Sequence, residues 1–177
     1  MTTEVKKILV AVDESEYSKY ALEWILTNLS LHANFTTLFT QSESGGADHG
    51  VISFYVMHVQ PLPNISTAGI GNPSAIAFGG TPPELVESIV NHQKKISEAL
   101  LGRAKEICAQ KNVNAKIVME IGDPKEAICD AVEKMKVDLL IIGSHGYGMV
   151  KRALLGSVSN YCVQHAKCPV LVVRKPL

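Results

Sequence analysis

Apolar residues along this chain follow two rhythms that alternate from one end to the other. Residues 6–12 (KKILVAV) close on an unbroken apolar run that stops at Asp13. A run without alternation marks a strand covered on both faces, as in a parallel sheet. Ser15 then offers a cap, and Tyr17, Ala21, Trp24, Ile25 and Leu29 recur at helical spacing. The same succession returns three times, and a last strand closes the series. VISFYVMHV (51–59) predicts a second strand, stopped by Gln60-Pro61, and a long helix follows from Pro83 to about Lys111, with Ile89, Ile96, Leu100, Ala104 and Ile107 on one side. AKIVMEIG (115–122) predicts a third strand, and Asp123-Pro124 opens a short helix, with the proline in the first turn where its missing N–H does no harm. VDLLIIG (137–143), a helix over 157–166 and PVLVV (169–173) complete the series.

The predicted order is therefore β-α-β-α-β-α-β-α-β. Such alternation implies right-handed crossovers and a doubly wound α/β domain, a parallel sheet with helices on both faces. Two stretches break the rhythm. Residues 30–50 carry QSESGGADHG, and residues 60–82 hold Pro61, Pro63, Pro73 and Pro82 among four glycines. Both are expected to be surface loops of one domain spanning 1–177.

Composition narrows the function classes. A chain of 177 residues buries about 70% of its unfolded surface, so it needs no disulfide or metal staple. Lysine plus arginine and aspartate plus glutamate each total 17, and this zero net charge argues against a nucleic-acid partner held through its phosphates. Cys108, Cys129, Cys162 and Cys168 form no C-x-x-C pair and fit small apolar residues in a reducing compartment. The first apolar run is too short for a signal peptide, and no stretch approaches the length of a membrane span. A soluble cytoplasmic protein is the expectation.

The segment LLIIGSHGYGMVKRALLGSVSNYCVQ (139–164) sets glycines directly after the most apolar strand. In doubly wound sheets, ligands bind beyond the carboxyl ends of strands where the strand order reverses. Glycines at 143, 146 and 156 would let backbone N–H groups approach phosphate oxygens, and the helix that follows adds free N–H groups and a positive dipole end. Ser157 can cap that helix and also donate to a phosphate. Asp13 can accept from both ribose hydroxyls, or hold a metal that bridges to the phosphates. Two familiar phosphate loops fail to match. Met149 stands where a P-loop requires lysine, and Gly146-Tyr147-Gly148 is followed by Lys151 rather than glycine.

The pattern that does match is G-x2-G-x9-G-[ST], carried by Gly143, Gly146, Gly156 and Ser157. It resembles the nucleotide-binding motif of the universal stress protein family, ATP-binding subclass. The opening KKILVAVDESEYSKYALEWI and the ending CPVLVVR resemble that family too, and the long loop after the second strand resembles its plant members. The resemblance implies five parallel strands in the order 3-2-1-4-5 and an adenine nucleotide, ATP or AMP, as bound ligand, with or without Mg. It assigns the ribose to Asp13, with Val12 beside it, and the adenine to Val59 with its neighbours His58 and Gln60. The phosphates fall to Gly143, Ser144, His145, Gly146, Gly156, Ser157, Val158 and Ser159. It further implies a homodimer through the edge strand 169–173, the alternative being a monomer guarded by Arg174, Lys175 and Pro176. Three functions compete: a nucleotide-binding regulatory or sensor protein of the stress response, a slow Mg-dependent ATPase or phosphotransferase, and an interaction or chaperone-like protein with a vestigial site. Lys151 and Arg152 are candidate cations for turnover, but the sequence offers no evident group to orient a water.

Overall fold

The computed structural model describes residues 6–30, 52–62, 83–145 and 155–176. Strands and helices alternate as β1 (Lys6–Ala11), α1 (Glu16–Ser30), β2 (Ile52–Gln60), α2 (Pro83–Gln110), β3 (Ala115–Ile121), α3 (Pro124–Met135), β4 (Leu139–Gly143), α4 (Ser157–His165) and β5 (Val170–Val173). Every ladder is parallel, and the strands lie in the order β3-β2-β1-β4-β5. The reversal falls between β1 and β4, where Val10 pairs with Ile141 and Ala11 with Ile142.

Strand alternation divides the interior into two cores. Ile8, Val10, Phe54 and Val56 meet Leu22, Ile25 and Leu26 of α1 and Leu101 and Ala104 of α2. On the other face Leu9, Met57 and Leu140 meet Ile128 and Val132 of α3 and Cys162 of α4. All four cysteines are free. Burial pushes the Cys108 and Cys162 thiols up to about 12, so both stay neutral and pack as apolar groups.

Several boundaries depart from the sequence expectation, each for a local reason. β1 ends at Ala11, although the Val12 N–H still reaches the Met57 carbonyl at 2.8 Å. β2 runs on to Gln60, which pairs with Ile121, and α1 takes in Ser30, so neither residue belongs to a loop. The remainder of the predicted 30–50 loop and residues 63–82 of the other lie outside the described residues. β4 begins at Leu139 instead of 137. The Val137 N–H bonds back to the Val132 carbonyl and closes α3, whose last residue hands over to Lys136 in a left-handed conformation (φ 54°). Ser15 does cap α1, accepting from the Ser18 N–H at 3.2 Å. Ser157 does not cap α4. Gly156 occupies the extended cap position, with no side chain to bond the helix, and Ser157 is the first helical residue.

Candidate functional site

Beyond the carboxyl ends of β1, β2 and β4 lies a cavity of about 530 Å³, a size suited to a small ligand. Three segments of the chain converge on it. From β1 come Val12 and Asp13, from β2 His58, Val59 and Gln60, and from β4 Gly143 and His145. The start of α4 adds Ser157, Val158 and Ser159. Ser144 is buried behind the lining at 1% exposure and Gly156 is buried beside it, each holding the other through the Gly156 N–H and the Ser144 carbonyl (2.8 Å). Gly146, Lys151 and Arg152 lie outside the described residues.

Asp13 sits in a closed turn. Its Oδ1 accepts from the Ser15 N–H at 3.0 Å and from the Ser15 hydroxyl, while its own N–H donates to Ser18 Oγ at 3.0 Å. The Ser18 hydroxyl in turn donates to the Asp13 carbonyl at 2.9 Å. These bonds within residues 13–18 give the carboxylate a fixed position at the cavity wall. His145 lies against the same turn, its ring 5.1 Å from that of Tyr17 and its carbonyl 3.4 Å from the Ser15 hydroxyl, with Nδ1 3.0 Å from Ser144 Oγ.

At β2 the backbone leaves a gap. Alternation along a parallel strand turns the N–H and C=O of Val59 to the same side as those of Met57, toward β1. The last ladder bond on that side is Val12 N–H to Met57 C=O, and β1 then turns away at Asp13. The Val12 carbonyl accepts instead from His58 Nδ1 at 2.9 Å. A carbonyl only accepts, so the proton sits on Nδ1, and in the neutral ring Nε2 accepts from the Ser97 hydroxyl of α2 (3.1 Å). Val59 thus presents backbone donor and acceptor to the cavity.

At α4 the situation is similar. The first turn of a helix carries N–H groups without intrahelical partners, and Gly156 brings no side chain to satisfy them. Ser159 points inward at 2% exposure, and its hydroxyl donates to the carbonyls of Ser144 and Gly156, both at 3.0 Å. The Ser157 hydroxyl is exposed and makes no hydrogen bond among the described residues. A group that accepts hydrogen bonds and carries negative charge fits this end. Among the described residues no lysine or arginine lines the cavity, and no three His, Cys, Asp or Glu side chains group as metal ligands. No described helix is long and apolar enough to cross a membrane.

The sequence reading missed the contribution of α2 and α3, which bring Gln93, Ile96, Ser97, Pro124 and Ile128 to the wall. A signal was present. Gln93 and Ser97 stand one turn apart on the apolar side of α2, with Ile89, Ile96 and Leu100, where a polar residue needs a reason.

A model of the universal stress protein family matches residues 53–174. The chain belongs to that family. Among its relatives, the universal stress protein A-like protein of Arabidopsis thaliana is 27% identical, over 99% of this chain and 93% of that protein. Universal stress protein PHOS34 of Arabidopsis is 31% identical over 97% of this chain and 62% of its own length. A crystal structure of an Arabidopsis universal stress protein family member with AMP bound superposes with a TM-score of 0.60 at 24% identity, covering 97% of this chain and 92% of that one. The parallel sheet and its reversal are thus a universal stress protein architecture.

Proposed function

We propose that this universal stress protein binds an adenine nucleotide, ATP, ADP or AMP, and acts as a regulatory or sensor protein of the stress response. One observation carries the reading: the Asp13 carboxylate, the open backbone of Val59 and the uncapped start of α4 face a single cavity of about 530 Å³. Asp13 accepts from the ribose hydroxyls, the Val59 N–H donates to a ring nitrogen of the base, and the N–H groups of residues 157–159 with the Ser157 hydroxyl take the phosphates. The AMP held by the Arabidopsis relative supports an adenine nucleotide as the ligand. Binding is favoured over turnover, because the sequence offers a phosphate cradle and no evident group to orient a water for transfer. The alternative role of Asp13 is to hold a Mg ion carried by the phosphates in place of the ribose hydroxyls.

Calorimetric titration with AMP and ATP, with and without Mg, tests the reading. Asp13→Asn keeps the acceptor for Ser15 and removes the charge. It is expected to weaken nucleotide binding by about tenfold or more, the scale of a charged hydrogen bond. Wild-type protein stripped of carried-over nucleotide that shows no saturable binding overturns the proposal. A phosphate-release assay on the same samples separates sensor from slow ATPase.

The reading extends to assembly. β5 is an edge strand whose Val170, Leu171 and Val172 are half-buried, and an unpaired apolar edge invites a second copy. Antiparallel pairing of two β5 strands across a two-fold axis would cover both. Val172→Lys is then expected to sediment as a monomer beside a dimeric wild type, and a dimer that survives the change moves the interface elsewhere.

A further inference from the structure

Two glutamines at the cavity wall each carry a buried oxygen with no hydrogen-bond partner among the described residues. Side chains alternate along β2, so Met57 and Val59 enter the core shared with α3 and α4, while His58 and Gln60 face α2. His58 fixes the register there through its bond to Ser97. α2 returns antiparallel to the strand, as a crossover helix does. Two residues further along the strand, about 6.6 Å, correspond to four residues back along the helix, about 6 Å. The residue that faces Gln60 is therefore Gln93. Both line the cavity, next to Val59. Gln60 is 2% exposed, and neither Gln60 Oε1 nor Gln93 Oε1 has a hydrogen-bond partner among the described residues.

Neighbouring amides ordinarily satisfy each other, and stranded buried acceptors are uncommon and costly. Two buried acceptors without partners at one wall of the cavity call for N–H donors at that point. We propose that Gln60 and Gln93 read the 6-position of the purine, their Oε1 atoms accepting the two hydrogens of adenine's exocyclic amine. This rests on the nucleotide reading above and adds base selectivity to it. A 6-oxo purine brings an acceptor to the same place, so oxygen would face oxygen and all three groups would go unsatisfied. A site built to bond a donor rejects the analogue that lacks it.

The test is titration of the full chain, freed of nucleotide, with AMP, IMP and purine riboside 5′-monophosphate, which has no 6-substituent. AMP is expected to bind at least about tenfold tighter than either analogue. Methionine has nearly the volume of glutamine and no acceptor of comparable strength. Gln93→Met, at a half-buried helix position, is expected to reduce the AMP-to-IMP ratio, and the double variant with Gln60→Met to bring it to within about twofold of unity. Thermal unfolding of each variant reports that the fold is retained. A wild-type ratio near one means that the amides turn over freely, and it overturns the proposal. A ratio unchanged in the variants overturns it as well, while leaving nucleotide binding intact. Failure to bind any of the three sinks both readings.

Discussion

Gly143→Ala is expected to destabilise the protein by about 1–3 kcal/mol, and Gly143→Val by more, with ligand affinity falling alongside. A Cβ on Gly143 would lie 2.8 Å from the backbone carbon of Tyr17 and 2.9 Å from both the Ser18 nitrogen and the Tyr17 oxygen. These are main-chain atoms in the first turn of α1, so no side-chain rotation relieves the contact. The turn is also held from within by the bonds among Asp13, Ser15 and Ser18. Either α1 retreats, opening the core around Ala21 and Leu22, or the end of β4 shifts away from β1. Urea denaturation of the two variants reads the effect as a lowered midpoint. An alanine variant with an unmoved midpoint would show that α1 has room to give.

That contact changes what the glycine motif means. Close approach of α1 to β4 is reason enough for glycine at 143 before any ligand arrives. A binding defect in Gly143→Val would therefore report packing first, which makes Asp13→Asn the cleaner probe of the proposed nucleotide site. Gly156 has a different role. Its φ of −71° suits any residue, and what it does for the site is to leave the start of α4 without a side-chain cap.

The fold was legible because parallel strands buried on both faces leave unbroken apolar runs, such as 8–12 and 139–142, while amphipathic helices do not. Their order around β1 came through the resemblance of termini and glycine spacing, since no local pattern encodes which strand lies beside which. Ten of the thirteen expected site residues line the cavity: Asp13, Gly143 and Ser157 were marked by residue type at strand ends and a helix start, and the others came through the resemblance. The wall built by α2 was not legible in the same way. Gln93 and Ser97 acquire their role only from the register of a long helix against β2, a tertiary quantity. The cap of α4 was misread because serine outranks glycine as an N-cap. Here the Gly156 N–H bonds the Ser144 carbonyl, and the Ser159 hydroxyl bonds that carbonyl too, which ties the turn down one residue earlier.

His58→Ala is expected to cost on the order of 3 kcal/mol and to loosen the base end of the site. The ring is 6% exposed and joins three elements, from its own strand to the Val12 carbonyl and to Ser97 on α2. Alanine leaves both partners buried without it, and a stranded polar group costs about 1–3 kcal/mol, beyond any void left by the ring. The Val12 carbonyl would then be free to accept the Val59 N–H and extend the β1–β2 ladder, closing the backbone donor proposed to meet the base. His58→Asn separates these effects. The asparagine amide nitrogen falls near the place of Nδ1 and can donate to Val12, but it does not reach Ser97. About half of the stability loss should return, together with most of the nucleotide affinity. Urea midpoints and AMP titration on the three proteins decide the matter. If alanine lowers stability as expected and leaves AMP affinity untouched, the Val12–His58 bond holds the scaffold alone and Val59 needs no such protection.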